Sequence, residues 1–203
     1  MTFHETQKQH IDLSTTTFTG KVLDIGGGGE GIIARIGGSN VLAIDRRADE
    51  LAESPDVGWK VVMDACQLNF IDDYFDNATF FYSLMYMNLQ VAEQALKEVW
   101  RVLKPGASLW IWDAVIPEEK TADGFLAHLS VKLSATETVN TSYGAGWHKG
   151  QSLDSVRQLC EQAGFTYCNG NTDTEAFSLQ CKKYGKKIGS LPIKINSGKG
   201  YQP

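Results

Sequence analysis

The sequence predicts an α/β domain built on a doubly wound, mostly parallel sheet. Three observations carry that expectation. Short apolar runs alternate with amphipathic stretches along the chain, the pattern of strand and covering helix. The runs are apolar at consecutive positions, as strands covered on both faces must be. The first of them, Val22-Leu23-Asp24-Ile25, stops in four consecutive glycines, a strand running into a tight turn.

The elements follow in order. After the first strand, Ile32-Ile33-Ala34-Arg35-Ile36 has apolar residues at i, i+1 and i+4 and reads as a short helix closed by Gly37-Gly38. Val41 to Ile44 is a second strand, ending at Asp45. A helical stretch at Ala48 to Ala52 leads to a third strand, Trp59 to Met63, ending at Asp64, and Ala78 to Tyr82 is a fourth. Val91, Ala92, Ala95, Leu96, Val99, Trp100 and Leu103 form a stripe of helical period that Pro105-Gly106 stops. Leu109 to Trp112 is a fifth strand. Leu153, Val156, Leu159, Cys160 and Ala163 mark a last amphipathic helix. Two short strands follow, Gly164 to Cys168 and Ala176 to Gln180; the turn-rich Asn169-Gly170-Asn171 between them favours an antiparallel hairpin.

One segment, 114–150, is far longer than the roughly 2–6 residues of an ordinary connection in such a fold. Within it Phe125, Ala127, Leu129, Val131, Leu133 and Ala135 alternate with mostly polar neighbours, and Val139 and Tyr143 keep the parity. That is the period of one long strand or a hairpin inserted after the fifth strand.

Composition bounds the rest. A chain of 203 residues with 42% hydrophobic and 21% charged residues is one domain of ordinary globular make-up. It divides into a polar leader at 1–20, a body at 21–182 and a lysine-rich tail at 183–203. The net charge is −5 although six lysines follow Cys181, so the body is strongly acidic and no nucleic-acid partner is expected. No apolar run approaches the ~18 residues of a membrane span, and the N-terminus is too polar for a signal peptide. A cytoplasmic protein without a membrane partner is expected. Cys66, Cys160, Cys168 and Cys181 show no C-x-x-C spacing and no nearby histidine pair, which points to structural thiols and no metal.

The chemistry concentrates behind the first strand. Glycines at a strand-to-helix turn let the backbone approach a ligand closely. Gly26, Gly28 and Gly31 satisfy G-x-G-x-x-G, so a dinucleotide site is one reading. Asp24 sits where such sites usually carry an apolar residue, and a carboxylate there repels a pyrophosphate and attracts a cation. Glycine-loop amides would lower its pKa and keep it ionised. Asp45 ends the second strand about 20 residues on, placed to hold ribose hydroxyls, and Asp64 ends the third, placed to accept from an adenine amine. Three acids at successive strand ends suit adenine, ribose and positive charge without phosphate.

With V-L-D-I-G-G-G-G-E-G, V-L-A-I-D, V-V-M-D-A, L-K-P-G-A-S-L-W-I and L-C-E-Q-A-G-F in that order, the chain resembles the class I S-adenosylmethionine-dependent methyltransferases, in particular their small-molecule, type 11-like branch. The resemblance spans most of 21–182. It implies a Rossmann-like sheet of seven strands with the last antiparallel, and S-adenosylmethionine as cofactor with S-adenosylhomocysteine as product. It places Asp24, Ile25, Gly26, Gly27, Gly28, Asp45, Arg46, Asp64, Ala65 and Ser83 around that cofactor. The family's third glycine falls one position earlier, where this chain has Glu30, which leaves open whether Gly29, Gly31 or Glu30 meets the ligand.

Ser83-Leu84-Met85-Tyr86 is not the Asn/Asp-Pro-Pro-aromatic signature of many amino-methylating enzymes of DNA and protein, which favours a small-molecule acceptor. Asp113, Tyr143 and His148 are the candidates for a general base, while His128 falls on the polar parity of the insertion. In-line alignment of acceptor and methyl could supply much of the rate without a base. The apolar face of the insertion needs a cover: the body of the same subunit, making a lid over the acceptor, or a second subunit, making a homodimer. A nicotinamide-dependent oxidoreductase and a non-catalytic cofactor-binding protein are the alternatives on the same architecture.

Overall fold

A computed structural model describes residues 2–185. The main sheet has seven strands: β3 (Val22–Ile25), β4 (Val41–Asp45), β5 (Trp59–Val62), β6 (Phe75–Phe81), β7 (Leu103–Ala114), β10 (Thr166–Thr172) and β11 (Ala176–Lys182). Their spatial order is β10-β11-β7-β6-β3-β4-β5. The five strands from β7 to β5 are mutually parallel, and β11 runs antiparallel to β7 as well as to β10. This is the expected doubly wound sheet with its last strand reversed.

Helices α1 (Ile32–Gly37), α2 (Ala48–Glu53), α3 (Leu89–Val102) and α4 (Leu153–Ala163) connect the strands. Asn88 caps α3 by accepting from the Val91 amide, and the helix buries Ala92, Ala95, Leu96, Val99 and Val102. A Ser152–Ser155 capping box opens α4, and Gly164, at φ 114°, closes it. β5 departs from expectation. It is not covered on both faces: Trp59 and Val62 are 69% and 57% exposed, because the strand is the sheet's edge and only the short α2 lies near it.

The insertion is a hairpin of β8 (Gly124–Lys132) and β9 (Thr138–Gly146), paired from Gly124↔Gly146 to Lys132↔Thr138. Two short strands lie within the polar leader. They are β1 (Phe3–Glu5) and β2 (Gln9–Asp12), both parallel to β8 on the edge opposite β9. Phe125, Ala127, Leu129 and Val131 are buried in one cluster with Val22, Ile32, Ile33 and Trp112 of the main body. The apolar face of the insertion is therefore covered by its own subunit. The parity ends at Leu133; Ala135 is exposed in the turn.

One expectation near the C-terminus needs correction. Cys168 and Cys181 are not free thiols but are joined by a disulfide across the β10–β11 hairpin, where strand pairing brings their Cα atoms to 4.1 Å. Among the described residues no helix is long and apolar enough to cross a membrane.

Lys183, the first residue of the lysine-rich tail, is not a surface charge. It is 2% exposed, and its ammonium donates to Asp73 (2.7 Å) and to the Leu103 carbonyl (2.6 Å) beside the Trp100 ring. Replacing Lys183 by Ala removes charge-assisted bonds and leaves buried acceptors unpaired, so urea unfolding should show a loss of about 2 kcal/mol. The rest of the expected tail at 183–203, from 186 onward, lies outside the described residues.

Candidate active site

The site begins where β3 ends at the middle of the sheet. Gly26 turns the chain at φ 72°, and the amides of Gly26 and Gly27 both donate to the Ile44 carbonyl, at 2.8 and 3.1 Å. A side chain at Gly26 would place its Cβ 2.6 Å from Ser83 Cβ, so only glycine lets the loop pass the end of β6. The Ser83 hydroxyl donates to the Ile25 carbonyl at 2.7 Å, and the Gly29 amide donates to the Glu50 carbonyl at 2.9 Å. The loop is thus tied on three sides before any ligand arrives.

A cleft of about 590 Å³ opens at the carboxyl ends of the strands, where ligands of doubly wound sheets bind. All ten residues that the sequence reading grouped around a cofactor line it: Asp24, Ile25, Gly26, Gly27, Gly28, Asp45, Arg46, Asp64, Ala65 and Ser83. The wall continues through Phe81, Tyr82, Tyr86 and Met87, and the insertion adds Tyr143 and Gly144. Sequence reasoning did not find Glu50, which approaches because Gly28 has no side chain: a Cβ there would meet Glu50 Cβ at 2.5 Å.

The acids differ in state. Asp24 is 2% exposed and accepts from the Thr79 hydroxyl at 2.7 Å. Because the loop amides turn to Ile44, they do not charge it. Burial dominates, the Asp45 charge adds to it, and the Asp24 carboxyl is pushed up to about 7 despite the Thr79 bond. The expected fully ionised Asp24 is therefore corrected. Asp45 accepts from the Arg47 amide at 2.9 Å and Asp64 from the Cys66 amide at 2.8 Å, each through one oxygen only among the described residues.

The three candidate bases separate. Asp113 is fully buried and accepts from the amides of Leu84 (2.9 Å), Met85 (3.3 Å) and Ala114 (2.8 Å) and from Gln151 Nε2 (2.9 Å). Burial pushes it up to about 6. It clamps the 84–86 turn from behind and does not line the cleft. Lys149 completes that clamp by donating to the Leu84 carbonyl and Gln151 Oε1. His148 is exposed and also lies outside the cleft lining. Tyr143 alone of the three lines the cleft. Its hydroxyl donates to Glu30 Oε2 at 2.9 Å, and its ring stacks on Tyr82 with centroids 5.8 Å apart. Glu30, the residue in the place of a family glycine, also accepts from the Thr141 hydroxyl. His128 sits on the outer face between Ser142 and Glu5, as its parity suggested. Among the described residues no acidic, histidine and cysteine cluster could hold a metal.

A glycine loop and strand-end carboxylates around one cleft of an open parallel sheet define a nucleoside-cofactor domain. Comparison with known proteins makes this specific. A family model described as a methyltransferase domain matches residues 23–111. Over 182 residues the chain is 30% identical to the ubiquinone/menaquinone biosynthesis C-methyltransferase UbiE of Vibrio vulnificus, covering 76% of this chain and 67% of that one. Two solved structures share the fold. A SAM-dependent methyltransferase from Methanosarcina mazei gives a TM-score of 0.56 at 22% identity, covering 82% of this chain and 93% of that one. Haemonchus contortus phosphoethanolamine N-methyltransferase 2, solved with S-adenosyl-L-methionine, gives 0.58 at 14% identity, covering 82% of this chain and 49% of that one. The chain belongs to the class I S-adenosylmethionine-dependent methyltransferases, and S-adenosylmethionine is its cofactor. That membership sets aside the oxidoreductase and non-catalytic readings.

Proposed function

We propose that this enzyme methylates a small molecule held between the 83–88 segment and Tyr143. The observation that carries this reading is the cleft itself. β9 adds Tyr143 and Gly144 to the wall of the cleft, whose volume of about 590 Å³ suits a cofactor and a compact acceptor. The acidic body and the absence of an Asn/Asp-Pro-Pro-aromatic segment after β6 point the same way. The relative's name includes carbon methylation in quinone biosynthesis, which makes an electron-rich carbon one acceptor class to test.

The bound cofactor would supply a methyl group made electrophilic by its positive sulfur. Asp45 would hold the ribose, Asp64 and Ala65 the adenine end, and Asp24 with Gly26 and Gly28 the cationic end. The aromatic wall of Phe81, Tyr86 and Tyr143 would exclude water and align the acceptor.

Incubation with [methyl-³H]S-adenosylmethionine and a cell extract split by size tests the substrate class. Label should pass to the low-molecular-mass fraction; label only in protein or RNA would refute it. The ribose assignment has its own check. Asp45→Ala should weaken S-adenosylmethionine binding in calorimetry by about 1.5–3 kcal/mol, the range for bonds to a charged acceptor, with the fold intact. Unchanged affinity would remove Asp45 from the site.

A further inference from the structure

The sole side chain that the insertion sends into the cleft is a phenol whose hydrogen is already committed. The Tyr143 hydroxyl donates to Glu30 Oε2 at 2.9 Å, so a group that reaches the oxygen of this cleft-lining residue meets only lone pairs: the oxygen can accept a hydrogen bond but not give one. The pair is held from both sides. Tyr143 stacks on Tyr82, and the Tyr82 hydroxyl is bound in turn by Gln9 of β2. Thr141 occupies the other oxygen of Glu30, and the Glu30 carbonyl accepts from Arg35 Nε at 2.8 Å. Arg35 also pairs with Glu137 at the hairpin turn, at 3.0 Å. Two of the other acids are engaged elsewhere: Asp24 holds its proton up to about 7 and is bound to Thr79, and Asp113 faces the back of the 84–86 turn.

We propose that Tyr143 takes the proton an acceptor sheds on methylation and hands its own to Glu30. The proposal rests on the methyltransferase reading above and fixes one feature of the acceptor, an O–H or N–H group facing Tyr143. The bookkeeping of the step is closed. As the acceptor atom bonds to the methyl carbon, the carbon–sulfur bond breaks and sulfur keeps its electron pair. The acceptor's proton moves to Tyr143 Oη while the phenolic proton moves to Glu30, leaving a neutral carboxyl and an unchanged phenol. Burial and the Glu30 charge hold the phenol well above its ordinary range, so the two transfers are concerted and no phenolate forms. Tyr143 is the catalytic residue here, and Glu30 acts through it.

Two isosteric variants test this. Tyr143→Phe keeps the stacked ring, and Glu30→Gln keeps a planar group able to bond both Thr141 and Tyr143 while being unable to take the proton. With [methyl-³H]S-adenosylmethionine and the low-molecular-mass extract, each should lower transfer by roughly 10²–10⁴-fold, the span of general-base contributions. Calorimetric affinities for S-adenosylmethionine and S-adenosylhomocysteine should stay within about threefold of wild type, since the pair acts on the chemical step. Wild-type transfer should slow in deuterated water, and the residual activity of Tyr143→Phe should not. Near-normal transfer by Glu30→Gln would reduce the pair to a brace and overturn the relay. A fall in cofactor affinity matching the fall in rate would overturn it as well. If wild type transfers no label at all, the methyltransferase reading on small molecules fails first, and the two failures are told apart by that control.

Discussion

Replacing Asp24 by Asn should make the ligand-free protein more stable at neutral pH while weakening its hold on the cofactor. Burial raises the Asp24 carboxyl from 3.8 to about 7, and Asp45 nearby pushes the same way. The unfolded chain loses this proton near pH 4 and the folded chain only near pH 7. Between those values the native state holds more protons, so the stability contributed by this group is full below about pH 4 and falls as pH rises to 7. The whole decline is roughly 4 kcal/mol, at about 1.4 kcal/mol per pH unit. Asn can still accept from Thr79 but has no charge to bury. Urea unfolding across this range should therefore show wild type and Asp24→Asn nearly equal at pH 4, with the variant pulling ahead up to pH 7 and a constant gap above. Asp113, pushed up to about 6, declines similarly in both proteins and cancels in the difference. A gap that does not change with pH would mean Asp24 is charged in the free protein. The same physics predicts proton release on cofactor binding near pH 7, because a cationic ligand favours the carboxylate. The binding enthalpy should then vary with the ionisation heat of the buffer.

Asp24 also shows where the sequence stops being informative. Its position before the glycines was legible because strand, turn and helix are local. Its charge state was not, because it depends on which acceptor the loop amides choose, and they choose Ile44 of the neighbouring strand. The buried strands could be read from their apolar runs. The burial of β5 is not legible in the same way, since an edge strand and a central one can carry the same residues. β1 and β2 were missed because three or four mostly polar residues pair only once β8 exists to receive them. Asp113 and Asp45 look alike as acids at strand ends, yet one faces the cleft and the other a buried clamp; only the three-dimensional return of residues 149–151 distinguishes them. Tyr143 and Glu30 stand 113 positions apart, and no pattern in the chain announces that pair.

Truncating Leu129 to Ala should destabilise the whole domain, not merely loosen an appendage. Leu129 and Val131 are 0% exposed and share a cluster with Val22, Ile33 and Trp112, so β8 is part of the core that supports β3 and β7. A buried Leu→Ala change costs about 2–5 kcal/mol. Replacing both Leu129 and Val131 by Ser adds buried hydroxyls and should exceed 5 kcal/mol, a large part of what holds a domain of this size together. Leu129→Ala is thus the informative variant. Its unfolding should remain one cooperative transition with a midpoint shifted to lower urea, and its mass by light scattering should equal that of wild type. A second transition would mean that the hairpin unfolds alone. A halved mass with stability preserved would show that β8 is covered by a partner subunit, against the intramolecular packing. The reasoning turns on which surface hides the apolar parity. Because β8, the strand paired with β9, is core, the hairpin cannot swing away freely, and the open part of the cleft wall lies at Tyr86, which is about half exposed.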